Sequence, residues 1–199
     1  MKQLVAVVLM LSASWAFALK PGESLPEAVA QVKMRNVDGQ ELSLREAFGP
    51  KGLLVIFSCN HCPWVKAWQA RMVALGNEYL GKGVGVVAVN ANDPKAYPED
   101  DFHHMVAQAK EHDYRFPYVV DATSEVARAF GATRTPEVFL FDASGKLVYH
   151  GAIDDNAEKP EEVKQRFLAD ALQALVEGKP VPVAETKALG CSIKFRKSQ

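Results

Sequence analysis

Residues 53–63 read LLVIFSCNHCP. Leu53 to Phe57 form a continuous apolar, partly β-branched run bounded by turn residues, the pattern of a strand buried on both faces. From Pro63 the period changes. Val65, Trp68, Met72, Leu75 and Tyr79 recur every three or four residues and draw one apolar helix face. Cys59 therefore stands just past the end of a strand, and Cys62 in the first turn of the helix that follows. Chemistry in open α/β sheets gathers at the C-terminal ends of strands. A helix N-terminus adds unpaired amides and partial positive charge, which favour a thiolate over a thiol. Pro63 fits that first turn, where its missing N–H has no partner to lose.

Working outward, VAQVKMRNVDGQELSL (residues 29–44) places an Asp38-Gly39 turn between two alternating segments, which predicts a hairpin. LREAFGPKG predicts a short helical turn, and GKGVGVVAVN a second buried strand. A helix from about Asp101 to His112, a strand in FPYVVD and a short helix in SEVARAF stopped by Gly131 follow. PEVFLFD, the turn ASGK and LVYHG form a strand hairpin. A last helix carries Val163, Phe167, Leu168, Ala171, Leu172 and Leu175, ended by Gly178 and Pro180. The order is a hairpin, then β-α-β-α-β-α, then β-β-α, which implies an α/β sheet covered by helices. Residues 179–199 read as an irregular tail.

The chain of 199 residues is long enough for one domain with a real core. A formal net charge of −1 and the lack of any basic stripe exclude nucleic acid and anionic membranes as expected partners. The start is distinct. Lys2, an apolar run from Leu4 to Phe17 and Ala16-Phe17-Ala18 make a signal peptide cleaved after Ala18. The run is short for a span of ~20 residues. Export would place Cys59, Cys62 and Cys191 where disulfides persist. Three cysteines close one bridge at a time, so they read as chemical rather than as a scaffold.

A C-x-x-C bridge closes a small ring, which stabilises little by loop entropy and suits exchange. The expected division of labour is that Cys59 attacks a partner's disulfide and Cys62 resolves it, with His61 tuning the thiolate. The same residues admit other readings. Structural zinc lacks a second ligand pair, since only Cys191 remains and His103 and His104 are adjacent. Copper held by Cys59, Cys62 and a distant His103, His104 or His150 is a second alternative, and an inert bridge a third. A peroxidatic P-x-x-x-[ST]-x-x-C pattern fits neither cysteine: the counted positions are Gly52 and Ile56 for Cys59, Val55 and Cys59 for Cys62.

LLVIFSCNHCP followed by FGATRTPEVFLFDASGKLVYHGAID resembles the thioredoxin superfamily. VDGQELSLREAFGPKG and FPYVVDATSEVARAFGA are similar to its exported redoxin subgroup, related to alkyl hydroperoxide reductase/thiol-specific antioxidant and to the cytochrome c maturation thioredoxins. The likeness covers about residues 22–178. It implies a thioredoxin-like fold, a central mixed sheet flanked by helices with an N-terminal hairpin extension. It also implies thiol-disulfide exchange with partner proteins and an unidentified redox donor or acceptor, by a monomer without cofactor or metal. A thiol-dependent peroxidase remains the alternative enzyme. Pro136 would be cis and face the cysteines. Thr135 would offer its backbone to an extended partner, and residues 151–154 would form another wall of the groove. There are departures. Ser58 replaces the usual Trp, with Trp64 and Trp68 on the helix instead, and Asn60-His61 replaces Gly-Pro, which leaves the direction of electron flow open. Cys191, in the GCSIKF tail, is read as a packed thiol in preference to a third redox group. Asp93, Asp154, Asp155 and Asn156 are read mainly as turn and helix caps.

Overall fold

The computed structural model describes residues 18–197; the predicted signal peptide lies almost wholly outside them. The elements are α1 (Glu27–Ala30), β1 (Met34–Asn36), β2 (Glu41–Leu42), β3 (Gly52–Phe57), α2 (Pro63–Gly81), β4 (Val84–Asn90), α3 (Phe102–Glu111) and β5 (Tyr118–Val120). They continue with α4 (Glu125–Phe130), β6 (Arg134–Thr135), β7 (Glu137–Asp142), β8 (Leu147–Gly151), α5 (Phe167–Val176) and β9 (Cys191–Ser192). Single 3-10 turns lie at Pro98–Asp100 and Pro160–Glu162.

Two hydrogen-bonded groups of strands, β2-β1-β5-β4 and β3-β7-β8, make up the main sheet. They abut where Ser58 N–H reaches Val89 C=O (2.9 Å) and Lys51 N–H reaches Gly83 C=O (2.9 Å). The β4–β5 pair is parallel, β3 runs parallel to β4 where the two groups abut, and the other pairs are antiparallel, so the sheet is mixed. Alternation along β3 divides the core. Leu54 and Ile56 face α2 and α5, packing with Val65, Trp68, Met72, Leu168 and Leu172. Leu53, Val55 and Phe57 face α1 and α4, packing with Val29, Val126 and Phe130. On that side Phe57, Phe130 and Phe139 meet edge to face, with centroids 5.1–5.7 Å apart, the favoured aromatic geometry. This sandwich fixes the end of β3, and with it the start of α2.

LREAFGPKG forms the expected single turn, in which Ala47 N–H reaches Ser43 O and Leu44 O (3.2 Å each), and Gly49 and Gly52 then exchange backbone hydrogen bonds that stop it. One expectation needs correction. Val163 lies outside the last helix, which starts only at Phe167; the 3-10 turn at Pro160 and extended backbone at Val163 intervene. The tail, read as irregular, contributes the short strand β9.

Gly85 shows how closely the layers approach. A Cβ there would stand 1.9 Å from Ala47 O and 2.7 Å from Gly49 N, both backbone atoms that cannot rotate away. Gly85→Ala is expected to cost about 3 kcal/mol through overpacking, read as a lowered urea midpoint with an unchanged slope.

Candidate active site

Extended backbone at the end of β3 carries Ser58, Cys59 and Asn60 inward, and the chain then turns into α2. The residue at the N-cap is Cys62, with Pro63 opening the first turn and no acidic side chain there to cancel the helix's positive pole. Both sulfurs are buried. Across from them lies β6, followed by a cis Thr135–Pro136 peptide. Cys59 Sγ lies 3.3 Å from Thr135 Oγ1. The Cys62 thiol donates to Thr135 O at 3.2 Å. Cys59, Cys62, Thr135 and Pro136, distant in sequence, are thus brought to one point.

Glu137 holds that crossing segment. Its buried Oε2 accepts the amides of Thr133 and Arg134 at 2.8 Å each, while Oε1 meets His150 Nε2 at 2.7 Å. Asp100 holds the other side. Its Oδ1 accepts the amides of Asn60 (2.7 Å) and His61 (3.1 Å). Its Oδ2 meets His61 Nδ1 (2.5 Å) and accepts from Asn92 Nδ2 (2.7 Å). Asn60 is further fixed by Tyr118 OH, which donates to its Oδ1 at 3.0 Å. His61 stacks flat on Tyr97 at 3.8 Å. His61 therefore reaches the site through Asp100. Sequence reasoning missed Asp100 and Glu137, since an acidic residue in YPED or TPEV carries no local mark of what it will meet.

The electrostatics separate the two thiols. Cys62 is pulled down, first by the hydrogen bond it receives from Cys59, opposed by burial, and helped by Cys191 and the Val65 amide. Its sulfur makes no full capping hydrogen bond, but that amide lies close enough to favour the anion. Cys59 is pushed up by the same bond to Cys62, by burial and by the negative charge of Asp100. The helix pole serves Cys62, as its expected place in the first turn implies, because the helix begins one residue after it. Cys191 also belongs to this cluster, packed against the core beside Cys62.

The histidines invoked for copper do not converge on the thiols. His104 bonds Asp101 at 2.8 Å on exposed α3, next to His103, and His150 is taken by Glu137. Among the described residues, the one three-member cluster of possible metal ligands is Cys59, His61 and Asp100, within 4.8 Å of one another; its histidine and carboxylate already engage each other. The loop residues behave as caps for the most part: Asp93, Asp155 and Asn156 accept the amides of Lys95, Lys164 and Lys159 at 2.9–3.0 Å. Asp154 does more, since it is buried, accepts Trp68 Nε1 at 2.7 Å and pairs with Arg71.

One consequence concerns pH. The Cys62 thiolate, which gives up the donation to Thr135 O, persists below the ordinary thiol pKa of about 8.5 and is lost as pH falls through its depressed value. Absorbance at 240 nm is expected to retain one thiolate at pH 7. Cys59→Ala, which removes the strongest donor, shifts the midpoint upward.

Comparison with known proteins follows the same lines. Thiol-disulfide oxidoreductase ResA of Halalkalibacterium halodurans is 28% identical over 61% of this chain, and the match spans 65% of that protein's length. ResA of Bacillus cereus is 24% identical over 82% of this chain and 94% of its own. An uncharacterized conserved protein of Geobacillus kaustophilus has a solved structure that superposes with a TM-score of 0.82 at 39% identity, covering 91% of this chain and 95% of that one. A thioredoxin-like protein solved in its oxidized form shares the fold, with a TM-score of 0.61 at 21% identity over 78% of this chain and 96% of that one. The Redoxin family profile matches residues 20–167. With a thioredoxin-like fold and most of its length inside that profile, the chain belongs to the Redoxin family of the thioredoxin superfamily.

Proposed function

We propose that the protein is a thiol-disulfide oxidoreductase that exchanges disulfides with partner proteins, with Cys62 as nucleophile. The observation that carries this reading is the meeting of two buried thiols with Thr135 at the start of α2. The Cys62 thiolate attacks one sulfur of a partner disulfide. The other partner sulfur leaves as a thiolate, and a mixed disulfide remains. Cys59 then gives up its proton and attacks Cys62 Sγ. The second partner sulfur departs and takes a proton, leaving a Cys59–Cys62 disulfide. Run in reverse, the same steps oxidise a dithiol. The ResA relatives support the reaction class.

An extended partner segment would add to the β6 edge beside Pro136, where backbone hydrogen bonds give affinity without demanding one sequence. His61 and Asp100 are positioning residues that hold the loop between the two thiols. The lysine-led apolar start ending in Ala-Phe-Ala supports action outside the cytosol. No helix among the described residues is long and apolar enough to cross a membrane.

A model protein disulfide such as insulin tests the reading. Cys62→Ser is expected to abolish catalysed reduction by the reduced protein. The double variant Cys59→Ser/Cys191→Ser, with Cys62 alone, is expected to hold insulin chains in a stable mixed disulfide. Full reduction activity in Cys62→Ser would overturn the assignment of the nucleophile. No exchange by the parent protein would overturn the function.

A further inference from the structure

The C-terminal tail lies across both walls of the site. Beyond α5 it first runs along β8: His150 N–H donates to Ala184 O (3.0 Å), and Thr186 N–H to His150 O (2.9 Å). Thr186 Oγ1 then accepts the amide of Ala152 at 3.0 Å and meets Tyr149 OH at 2.8 Å. The fit at Gly151 is close enough that a Cβ there would stand 2.1 Å from Thr186 Oγ1. Residues 151–154, expected to form one wall of an open groove, therefore have the tail against them.

The tail next reaches the other wall. Strand β9 pairs antiparallel with β6, with Cys191 opposite Thr135 and Ser192 opposite Arg134. Ile193 N–H continues the ladder to Thr133 O at 2.9 Å. Lys194 and Arg196 anchor the end, donating their amides to Asn92 Oδ1 (2.8 Å) and Ser124 Oγ (2.9 Å). The edge beside Pro136 is thus filled by a strand of the chain itself. That strand sets a thiol against Cys62: the Cys191 thiol and backbone both bear on the Cys62 sulfur, and the Trp64 amide of α2 bears on Cys191. A packed, idle cysteine needs none of this register.

We propose that the tail is a tethered strand that takes the partner's place on β6, and that Cys191 is a third redox thiol that forms an internal disulfide with Cys62. The proposal rests on the exchange reading above and inserts one step before Cys59 closes the bridge. When Cys62 is bound to a partner sulfur, the returning tail displaces the partner from the β6 edge. Cys191 gives up its proton and its sulfur attacks Cys62 Sγ. The Cys62–Cys191 bond forms, the mixed bond breaks, and the partner leaves as a thiolate that takes a proton. Cys59 then attacks Cys62 Sγ in the same manner, restoring the Cys191 thiol and leaving Cys59–Cys62 oxidised. The net change is two partner sulfurs reduced and two protein sulfurs oxidised.

The resting state of Cys191 agrees with this order. Its thiol is pushed up to about 11 by burial, by its hydrogen bond to Cys62 and by the charge on Cys62, while Lys194 and the Trp64 amide oppose. The two contributions from Cys62 disappear once that sulfur is in a disulfide; burial remains, now opposed by the two that favour the anion.

The test uses the full chain as Cys59→Ser, reduced and then treated with oxidised glutathione, followed by peptide mapping under non-reducing conditions. The expected result is a Cys62–Cys191 peptide in monomeric protein, with glutathione found only transiently. Adding Gly190→Val should slow that closure at least tenfold, because a Cβ at Gly190 would stand 2.2 Å from Thr135 O. Glutathione retained on Cys62 with Cys191 free overturns the proposal. If the parent chain still closes Cys59–Cys62 under the same conditions, the exchange reading stands without it. If Cys62 joins neither thiol in the parent, both fail. Should Cys59→Ser not fold, rapid acid quenching of the parent gives the same answer: a transient Cys62–Cys191 peptide supports the proposal, and its absence at every time point overturns it.

Discussion

Everything at the site depends on Thr135. Its carbonyl accepts from the Cys62 thiol, its hydroxyl meets Cys59, and its strand pairs with the tail at Cys191. One residue thus touches the two sulfurs of the 59–62 loop and pairs, through its backbone, with the strand that carries the third. Thr135 can serve this way because the residues before it are immobilised by Glu137, whose carboxylate replaces the strand partners that the Thr133 and Arg134 amides lack. A buried carboxylate is costly unless it is hydrogen-bonded. Glu137 meets that condition with two amides and His150, and in doing so it fixes the height of the crossing segment above α2.

Asp100 performs the matching task on the opposite side. It is nearly inaccessible to water and engages two backbone amides, one imidazole and one carboxamide, which uses most of its acceptor capacity. The loop from Cys59 to Cys62 has no regular structure of its own, so Asp100 supplies the pairing that a strand or helix would otherwise give. The same negative charge lies beside Cys59 and disfavours a second anion there. Positioning and charge selection come from a single carboxylate.

The strand β3 and the helix α2 were legible because burial on both faces and on one face leave different periods in the sequence, and LLVIF and Val65-Trp68-Met72 display them. Thr135-Pro136 was legible only through family resemblance, since four residues of loop carry no period. The place of Cys62 at the helix start was legible from Pro63 and not from the motif. C-x-x-C spacing is the same whether the helix starts before or after the second cysteine, and Pro63 at the first helical position decides it. Asp100 was not legible, because its partners Asn60, His61 and Asn92 lie past the ends of other strands; Glu137 bonds two amides three and four residues upstream, but its burial and its contact with His150 come from tertiary packing. The tail was hidden for a related reason. Its strand is held by backbone hydrogen bonds and one close approach at Gly190, which impose almost no side-chain pattern.

The charges around Cys62 also rank the two sulfurs that can succeed it. While Cys62 is the anion, it holds both neighbours as thiols by accepting their hydrogen bonds. Once Cys62 is consumed in a mixed disulfide, that restraint vanishes for both and the fixed surroundings decide. Cys59 keeps its burial and faces Asp100, a like charge to any thiolate it forms, with the Thr135 hydroxyl favouring the anion. Cys191 is also opposed by burial, but it faces Lys194 and an amide of the α2 N-terminus, both of which favour its anion, and no like charge. Since only the thiolate is a nucleophile, Cys191 is the better placed to attack first. Cys59, kept protonated longer beside Asp100, is suited to the later step, in which the oxidised pair closes away from solvent and the tail thiol is set free.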